Sequence, residues 1–212
     1  MSLKQVGLFL FLSISQLHAF TVMIDPCGDA KCTGRVIQDT FERGITLQCA
    51  ELLKKELNQL APHIRVVLTR VPGETIQPLQ NASFANRLQA DLYIRISFYP
   101  EIDILPHVSF FQYVTQQTDF WHSYQPLCFY PVMQAHLIHI SLTKKLGLLL
   151  NDFFKNSSFN NFFKVQGFFS IPYKPLCGIK APALAIEAGI HQRDDYVYLI
   201  KPLVAFIREV AR

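Results

Sequence analysis

Short apolar runs rich in β-branched residues alternate along this chain with longer segments of helical spacing, and this alternation limits the fold more than any other feature. Such alternation is typical of strands joined by crossover helices. The fold class is therefore predicted to be α/β, as a single three-layer α/β/α domain with a mostly parallel central sheet over residues 20–212. The predicted strands are 20–24, 64–70, 91–98, 107–114, 165–171 and 182–188, and the predicted helices are 40–60, 78–88, 134–154 and 194–210.

Composition supports one folded domain. The chain has 212 residues, of which 50% are apolar and only 17% are charged, so it is long enough for one well-buried core and unlike a disordered chain. The formal net charge of +4 comes without a run of Lys or Arg, so we predict no nucleic-acid partner. A mild positive charge fits attraction to an anionic polymer such as a cell-wall glycan.

The first nineteen residues predict export. Lys4 is followed by an apolar run at 6–14 and a polar stretch that ends at Ala19, which is the order of a secretory signal peptide. The apolar run is shorter than the roughly 20 residues that a membrane-spanning helix needs. We therefore predict a signal peptide at 1–19, cleavage near the Ala19–Phe20 bond, and a periplasmic or extracellular protein that meets a membrane only through this segment if it stays uncleaved.

The cysteines leave the disulfide pattern open. An exported chain with five cysteines could form up to two disulfides and would keep one thiol free or paired between chains. Cys27 and Cys32 share one loop and could join, whereas Cys49 falls inside a predicted helix and is expected to be a small buried apolar residue. No spacing of a structural zinc site occurs. The cysteines are Cys27, Cys32, Cys49, Cys128 and Cys177.

The loop after the first strand is the first place to seek chemistry, because ligands of open α/β sheets collect at the carboxyl ends of strands. Its sequence, VMIDPCGDAKCTG, resembles the opening of the zinc-dependent N-acetylmuramoyl-L-alanine amidases of the amidase 3 family, which begin with a strand and DPGHGGxDPG. Asp25 and Pro26 match that pattern without gaps. The family's zinc-binding His then falls on Gly28.

Four further strings resemble the same family in the same order. ERGITL matches ExxxNL and places the family's zinc-binding Glu on Glu42; VVLTR is also frequent in the family. FANRLQADLYIRIS resembles AN-x-x-x-ADLFISIH, except that the family's second zinc-binding His is Ser97 here. APALAIEAG resembles xPAxLVExGF and places the family's catalytic Glu on Glu187. The resemblance thus extends from residue 20 to the last helix and implies an amidase 3-like fold.

The family's chemistry is what this resemblance implies. A zinc ion held by His, Glu and His polarises the scissile carbonyl and activates water, while a second Glu moves protons. The bond cleaved joins the lactyl group of muramic acid to L-alanine. In this chain only Glu42 remains of the three ligands, beside Glu187 as the general base. A catalytic zinc ordinarily has three protein ligands, and a hydroxyl such as that of Ser97 is a poor substitute, so zinc is doubtful here.

Three functions remain open on the sequence. The first is an exported protein that binds peptidoglycan or muropeptides, or regulates at the cell wall, with its zinc catalysis lost or weakened. The second is an active amidase with a remodelled metal site, in which the Cys27 thiolate replaces imidazole with Asp29 or Asp25 assisting. The third is a domain that binds another protein through the aromatic segment 115–131 around Trp121.

Two other metal arrangements are open on the sequence. A harder cation could be held by oxygen ligands from four acidic residues of the site. His136 and His139 lie three residues apart on a predicted helix, a spacing that permits joint ligation, although surface positions are the more common reason for such a pair. The four acidic residues are Asp25, Asp29, Glu42 and Glu187.

Overall fold

A computed structural model describes residues 19–77, 79–115 and 131–212 of the chain. Residues 1–18 of the predicted signal peptide and residues 116–130 of the aromatic segment lie outside those ranges. The described part has the predicted α/β architecture, with a six-stranded central sheet between helical layers.

The strands and helices follow the predicted order. The strands are β1 (Thr21–Pro26), β2 (Val36–Ile37), β3 (Thr40–Phe41), β4 (Arg65–Leu68), β5 (Leu92–Pro100), β6 (His107–Tyr113), β7 (Lys164–Ile171) and β8 (Ala183–Ile190). The α-helices are α1 (Glu42–Leu60), α2 (Gln80–Leu88), α3 (Ile140–Lys155) and α4 (Val197–Val210). Short 3₁₀ helices cover Val132–His139, Lys174–Leu176 and Arg193–Tyr196.

The sheet is mostly parallel, as predicted. Its strand order is β4-β1-β5-β8-β6-β7, in which β4, β1, β5 and β8 run parallel to one another. β6 is antiparallel to β8, and β7 is parallel to β6. Strand β8, the last in the chain, therefore lies between β5 and β6. The carboxyl end of β8 is on the same side of the sheet as those of β1 and β5.

The two faces of the sheet are covered unequally. Helices α1, α3 and α4 pack on one face around a large apolar core that includes Ile24, Ile94 and Ile186. On the other face, α2 and the 3₁₀ helix Lys174–Leu176 cover a smaller cluster that includes Met23 and Tyr93. All six residues of β1 are buried, as expected for a parallel strand covered on both faces.

Two local features differ from the sequence prediction. The helix expected at 40–60 begins at Glu42, because Thr40–Phe41 pair with Val36–Ile37 in a two-residue hairpin. The helix expected at 134–154 is a 3₁₀ helix up to His139 and an α-helix only from Ile140. Strands of two residues are too short to show periodicity, so the hairpin could not be read from the sequence.

The strands and helices outside these two features agree with the predicted ranges to within a few residues at their ends. Within residues 19–77, 79–115 and 131–212, no helix is both long and apolar enough to cross a membrane.

Candidate functional site

The sheet register brings three of the predicted site residues to one edge. Ser97 of β5 is the direct partner of Glu187 of β8. Cys27 follows β1, and its backbone N–H donates to the Ile96 carbonyl over 2.9 Å, which continues the β1–β5 pairing by one residue. Cys27, Ser97 and Glu187 therefore lie in one row across neighbouring parallel strands, at their carboxyl ends.

Glu42 reaches the same edge from the first residue of α1. Its side chain is buried, and both carboxylate oxygens accept backbone hydrogen bonds. Oε1 accepts from the N–H of Phe98 over 2.9 Å, and Oε2 accepts from the N–H of Arg35 over 3.1 Å. The carboxylate thus ties the start of α1 to the end of β5 and to the loop before β2, a favourable place for a negative charge.

Glu187 is paired with an arginine that the sequence analysis did not single out. Nη2 of Arg35 lies 2.6 Å from Oε1 of Glu187. The same guanidinium donates from Nη1 to the Phe98 carbonyl over 3.0 Å and lies 5.8 Å from the centre of the Tyr99 ring. Burial lowers the pKa of Arg35, but the hydrogen bond and charge of Glu187 outweigh it and raise that pKa overall. The partner that a carboxylate in this strand requires is therefore Arg35.

Asp25 and Arg95 form a second ion pair, two residues before Cys27 and Ser97 in the β1–β5 register. They are direct partners in the β1–β5 register, and Nη1 of Arg95 contacts Oδ2 of Asp25. Oδ1 of Asp25 also accepts from the Thr69 hydroxyl over 2.8 Å and from Asn81 Nδ2 over 2.9 Å. Burial lowers the pKa of Arg95, but the charge of Asp25 raises it above its usual value. Arg95 stands where the family string ADLFISIH has its Ser.

Cys27 lies between these groups as a half-buried thiol. Its Sγ is 3.2 Å from Nη2 of Arg95. Burial is the largest influence and raises the thiol pKa, Arg95 opposes that shift, and the nearby Glu42 adds to it. The Ser97 hydroxyl is close enough to favour the thiolate, yet its geometry does not meet a hydrogen bond. A raised pKa keeps the thiol protonated near neutral pH, which makes it a weak ligand and a weak nucleophile.

Position 28 has no room for a side chain. Gly28 has a φ of +81°, and a Cβ placed there would lie 2.7 Å from the Cβ and 3.1 Å from the Cα of Arg43 in α1. An imidazole at this position would therefore require the loop to move. The neighbouring Cys27 side chain interacts with both Ser97 and Glu42.

The acidic residues of the site do not gather into one ligand set. Asp25 is satisfied by Arg95 and its neighbours, while Asp29 accepts backbone N–H groups of Lys31, Cys32 and Ile76. The hypothesis that Asp25, Asp29, Glu42 and Glu187 jointly hold a hard cation is therefore not supported. Each of these carboxylates already has its own donors.

In the described ranges, one group of three metal-capable side chains has ligand atoms within 4.8 Å of one another, and it lies elsewhere. It consists of Glu101, Asp103 and His107 in the β5–β6 connection. The Glu101 carboxylate there accepts the backbone N–H groups of Ile102, Asp103 and His107, which explains the cluster without a metal.

The predicted histidine pair does not form a joint site. His136 is buried with its ring edge-on to Tyr113 at 4.7 Å, whereas His139 is exposed. Of the cysteines in the described residues, Cys27, Cys32, Cys49 and Cys177 have free thiols, so the Cys27–Cys32 disulfide is not formed in this structure, and Cys49 is buried in α1 as expected.

Arg35 and Arg95 are the residues of the candidate site that sequence reasoning missed. A charged residue within the apolar strand DLYIRISF could have drawn attention to Arg95. Arg35 carries no comparable signal, because its partner is far away in the sequence. Both residues place a guanidinium beside a carboxylate or thiol of the site.

Comparison with known proteins confirms the resemblance. The family model of N-acetylmuramoyl-L-alanine amidases, Amidase_3, matches residues 22–98, a segment that runs from β1 to β5 and includes Gly28, Glu42 and Ser97. No curated protein sequence matches the chain.

Solved structures of amidases share the fold over most of the chain. The catalytic domain of CwlV from Bacillus (Paenibacillus) polymyxa var. colistinus is 16% identical with a TM-score of 0.60, covering 90% of this chain and 97% of that one. AmiC2 of Nostoc punctiforme is 14% identical with a TM-score of 0.62, covering 92% and 98%. Ami1 from Mycobacterium smegmatis is 12% identical with a TM-score of 0.63, covering 92% and 100%. At these identities the likeness establishes the fold.

Proposed function

We propose that this chain is an exported protein of the amidase 3 fold that binds peptidoglycan, and that its zinc-dependent amide hydrolysis is lost or strongly weakened. One observation carries the proposal: Arg35 and Arg95 hold the acidic and thiol side chains that a metal ion would otherwise have to recruit. A guanidinium and a zinc ion compete for the same negative groups, because both are cations.

The side chains present do not fit a catalytic zinc. Glu42 is the one family ligand retained, and both of its oxygens accept backbone N–H groups. Gly28 has no donor, and Ser97 offers a neutral hydroxyl, which binds zinc far more weakly than imidazole. Each ligand or supporting partner contributes roughly tenfold or more to metal affinity, so the loss of two imidazoles weakens binding severely. We therefore derive no reaction step through zinc in this chain.

Glu187 is likewise constrained in the role of general base. A base must reach the proton it abstracts, and its efficiency depends on being free to accept that proton. Its Oε1 lies 2.6 Å from Nη2 of Arg35 in an ion pair. In the proposed function this ion pair fixes the loop before β2 against β8, where a glycan or peptide would bind.

A second candidate function is an amidase with a remodelled metal site. The observation that favours it is the proximity of the Cys27 thiol to the Glu42 carboxylate, whose charge acts on the thiol. This candidate requires Cys27 to ionise, and both burial and Glu42 oppose that ionisation. The first function therefore remains the better supported of the two.

One experiment separates the two functions. The exported protein is purified without added metal, its zinc content is measured by mass spectrometry, and it is pelleted with purified peptidoglycan sacculi with and without a chelator. We expect substoichiometric zinc, co-sedimentation that the chelator does not change, and no release of free peptides from the sacculi. Stoichiometric zinc together with chelator-sensitive release would establish the amidase instead, and Cys27→Ala should then remove the metal.

Export is tested separately. The N-terminal sequence of the protein recovered outside the cytoplasm should begin at Phe20, after cleavage following Ala19. Recovery of the chain with residues 1–19 intact in the cytoplasmic fraction would refute the signal-peptide prediction.

A further inference from the structure

A groove of about 460 Å³ opens beside the Asp25–Arg95 pair, on the face of the sheet that α2 covers. Its walls are mostly apolar, from Ile76, Leu79 and Met133, and its polar side chains include Asn81, Arg95 and Lys174. A concave, mainly apolar groove with a few convergent polar groups is the usual form of a small-ligand site. The volume is large enough for a short peptide.

Two side chains that line this groove carry buried atoms without a hydrogen-bond partner among the described residues: Asn81 Oδ1 and Arg95 Nε. The Nε of Arg95 carries a hydrogen that can be donated. A buried donor without an acceptor is costly, so this N–H indicates a ligand or solvent that supplies an oxygen acceptor.

The charges at the groove favour one negative charge on that ligand. Arg95 is compensated by Asp25, whereas Lys174 at the rim is exposed and has no ion pair among the described residues. The sum is a single uncompensated positive charge next to apolar walls. A carboxylate on an apolar body satisfies both features, and a planar carboxylate suits a guanidinium.

We infer that this groove binds a short acylated peptide through its free carboxylate, with Arg95 and Lys174 as the recognising cations. The inference rests on the proposed function in taking the ligand to be a peptide. Arg95 replaces the Ser of the family string ADLFISIH, so this carboxylate site is a feature of this chain rather than of the family. The groove and the pair Arg35–Glu187 lie at the same edge of the sheet, so a peptide in the groove could extend toward Ser97.

Calorimetric titration tests the inference on the whole exported protein. The probes are N-acetyl-L-alanyl-L-leucine with a free carboxylate and the same compound as its carboxamide, which differ only in the charged group. We expect the acid to bind at least tenfold more tightly than the amide, since charge-assisted hydrogen bonds are the stronger kind. Equal affinity for both probes, or no binding of either at millimolar concentration, would overturn the inference.

Three variants locate the recognition. Lys174→Gln should weaken binding of the acid probe several-fold and leave the affinity for the amide probe unchanged. Lys144→Gln, on the exposed face of α3, should change neither affinity. Arg95→Met leaves Asp25 buried and unpaired, so it is made together with Asp25→Asn; this double variant should abolish the preference for the acid. An acid preference that survives both Lys174→Gln and the double variant would refute the assignment of these residues.

The two proposals can fail independently. Sacculi that co-sediment with the protein while neither peptide probe binds would leave the proposed function standing and remove the carboxylate site. Peptide that binds with the acid preference while sacculi do not co-sediment would do the opposite.

Discussion

Arg35 and Glu187 form an ion pair in which Nη2 of Arg35 lies 2.6 Å from Oε1 of Glu187. The pair joins the loop before β2 to strand β8. The arginine side chain is 48% exposed and the glutamate side chain 25% exposed. Solvent screening at that exposure limits the pair to about 1 kcal/mol or less of stability. Its consequence is therefore for the site, where it places a guanidinium against one oxygen of the Glu187 carboxylate.

Releasing Glu187 should not by itself create an enzyme. We expect Arg35→Gln to lower the free energy of unfolding by at most about 1 kcal/mol, because the pair is exposed. Zinc content should stay substoichiometric, since Gly28 and Ser97 still provide no imidazole. Zinc content by mass spectrometry and urea unfolding of the same sample check both parts; Arg208→Gln on α4 is the control. Stoichiometric zinc in Arg35→Gln would show that the arginine alone had excluded the metal.

The zinc affinity gained by introducing imidazoles should depend on which loop position carries the new His. The resemblance to the amidase 3 family places its two zinc-binding His residues at 28 and 97. A side chain at 28 meets the backbone of α1, whereas the Cys27 side chain already faces Ser97 and Glu42. We expect Gly28→His with Ser97→His to lose about 2–4 kcal/mol of stability from the left-handed backbone and overpacking, without gaining zinc. Cys27→His with Ser97→His, combined with Arg35→Gln, should gain measurable zinc affinity.

Arg35→Gln is added to the Gly28→His set as well, so the two sets share Ser97→His and Arg35→Gln, and any difference between them comes from the loop position of the new His. Zinc titration followed by thermal unfolding provides the measurement. If the Gly28→His set binds zinc and the Cys27→His set does not, the loop adopts a different conformation in the metal-bound protein from the one in this structure.

Glu42 should stabilise the fold whether or not a metal binds. Glu42→Gln replaces one acceptor oxygen with an NH₂ group that faces a backbone N–H, so a buried donor is left without a partner. We expect a loss of about 2–3 kcal/mol in urea unfolding, as for hydrogen bonds to charged groups. Glu51→Gln, exposed on the same helix, should change stability by less than about 0.5 kcal/mol. Equal effects of the two substitutions would contradict the buried contacts of Glu42 with Phe98 and Arg35.

The Cys27 thiol should react slowly and only at alkaline pH. Its pKa is raised by burial, so at any given pH a smaller fraction is thiolate than for an ordinary cysteine. Alkylation by iodoacetamide near pH 8, followed by peptide mass spectrometry, should modify the exposed Cys32 well before Cys27. Raising the pH above 9 should reduce the difference in alkylation rate between Cys32 and Cys27. Faster modification of Cys27 than of Cys32 at pH 8 would show that Arg95 outweighs burial and would favour the remodelled metal site.

The sequence predicted the fold well because its signals are local. Strands such as DLYIRISF and APALAIEAG are apolar and bounded by turn residues, and Glu42 lies at a helix start that its neighbours indicate. The same local patterns carry the resemblance to the amidase 3 family. The two-residue strands and the 3₁₀ segment before Ile140 were missed, since neither is long enough to show a period.

The amino-acid sequence alone therefore determined the α/β architecture, the position of the candidate site at the carboxyl ends of the strands, and the residues Glu42, Ser97 and Glu187 that lie there. Only the tertiary structure decided their partners. Arg35 meets Glu187, and Arg95 meets Asp25, through contacts between residues that are distant in the chain. Coulomb energy depends on the separation of charges in space, and that separation is set by strand order and register, which no local pattern specifies.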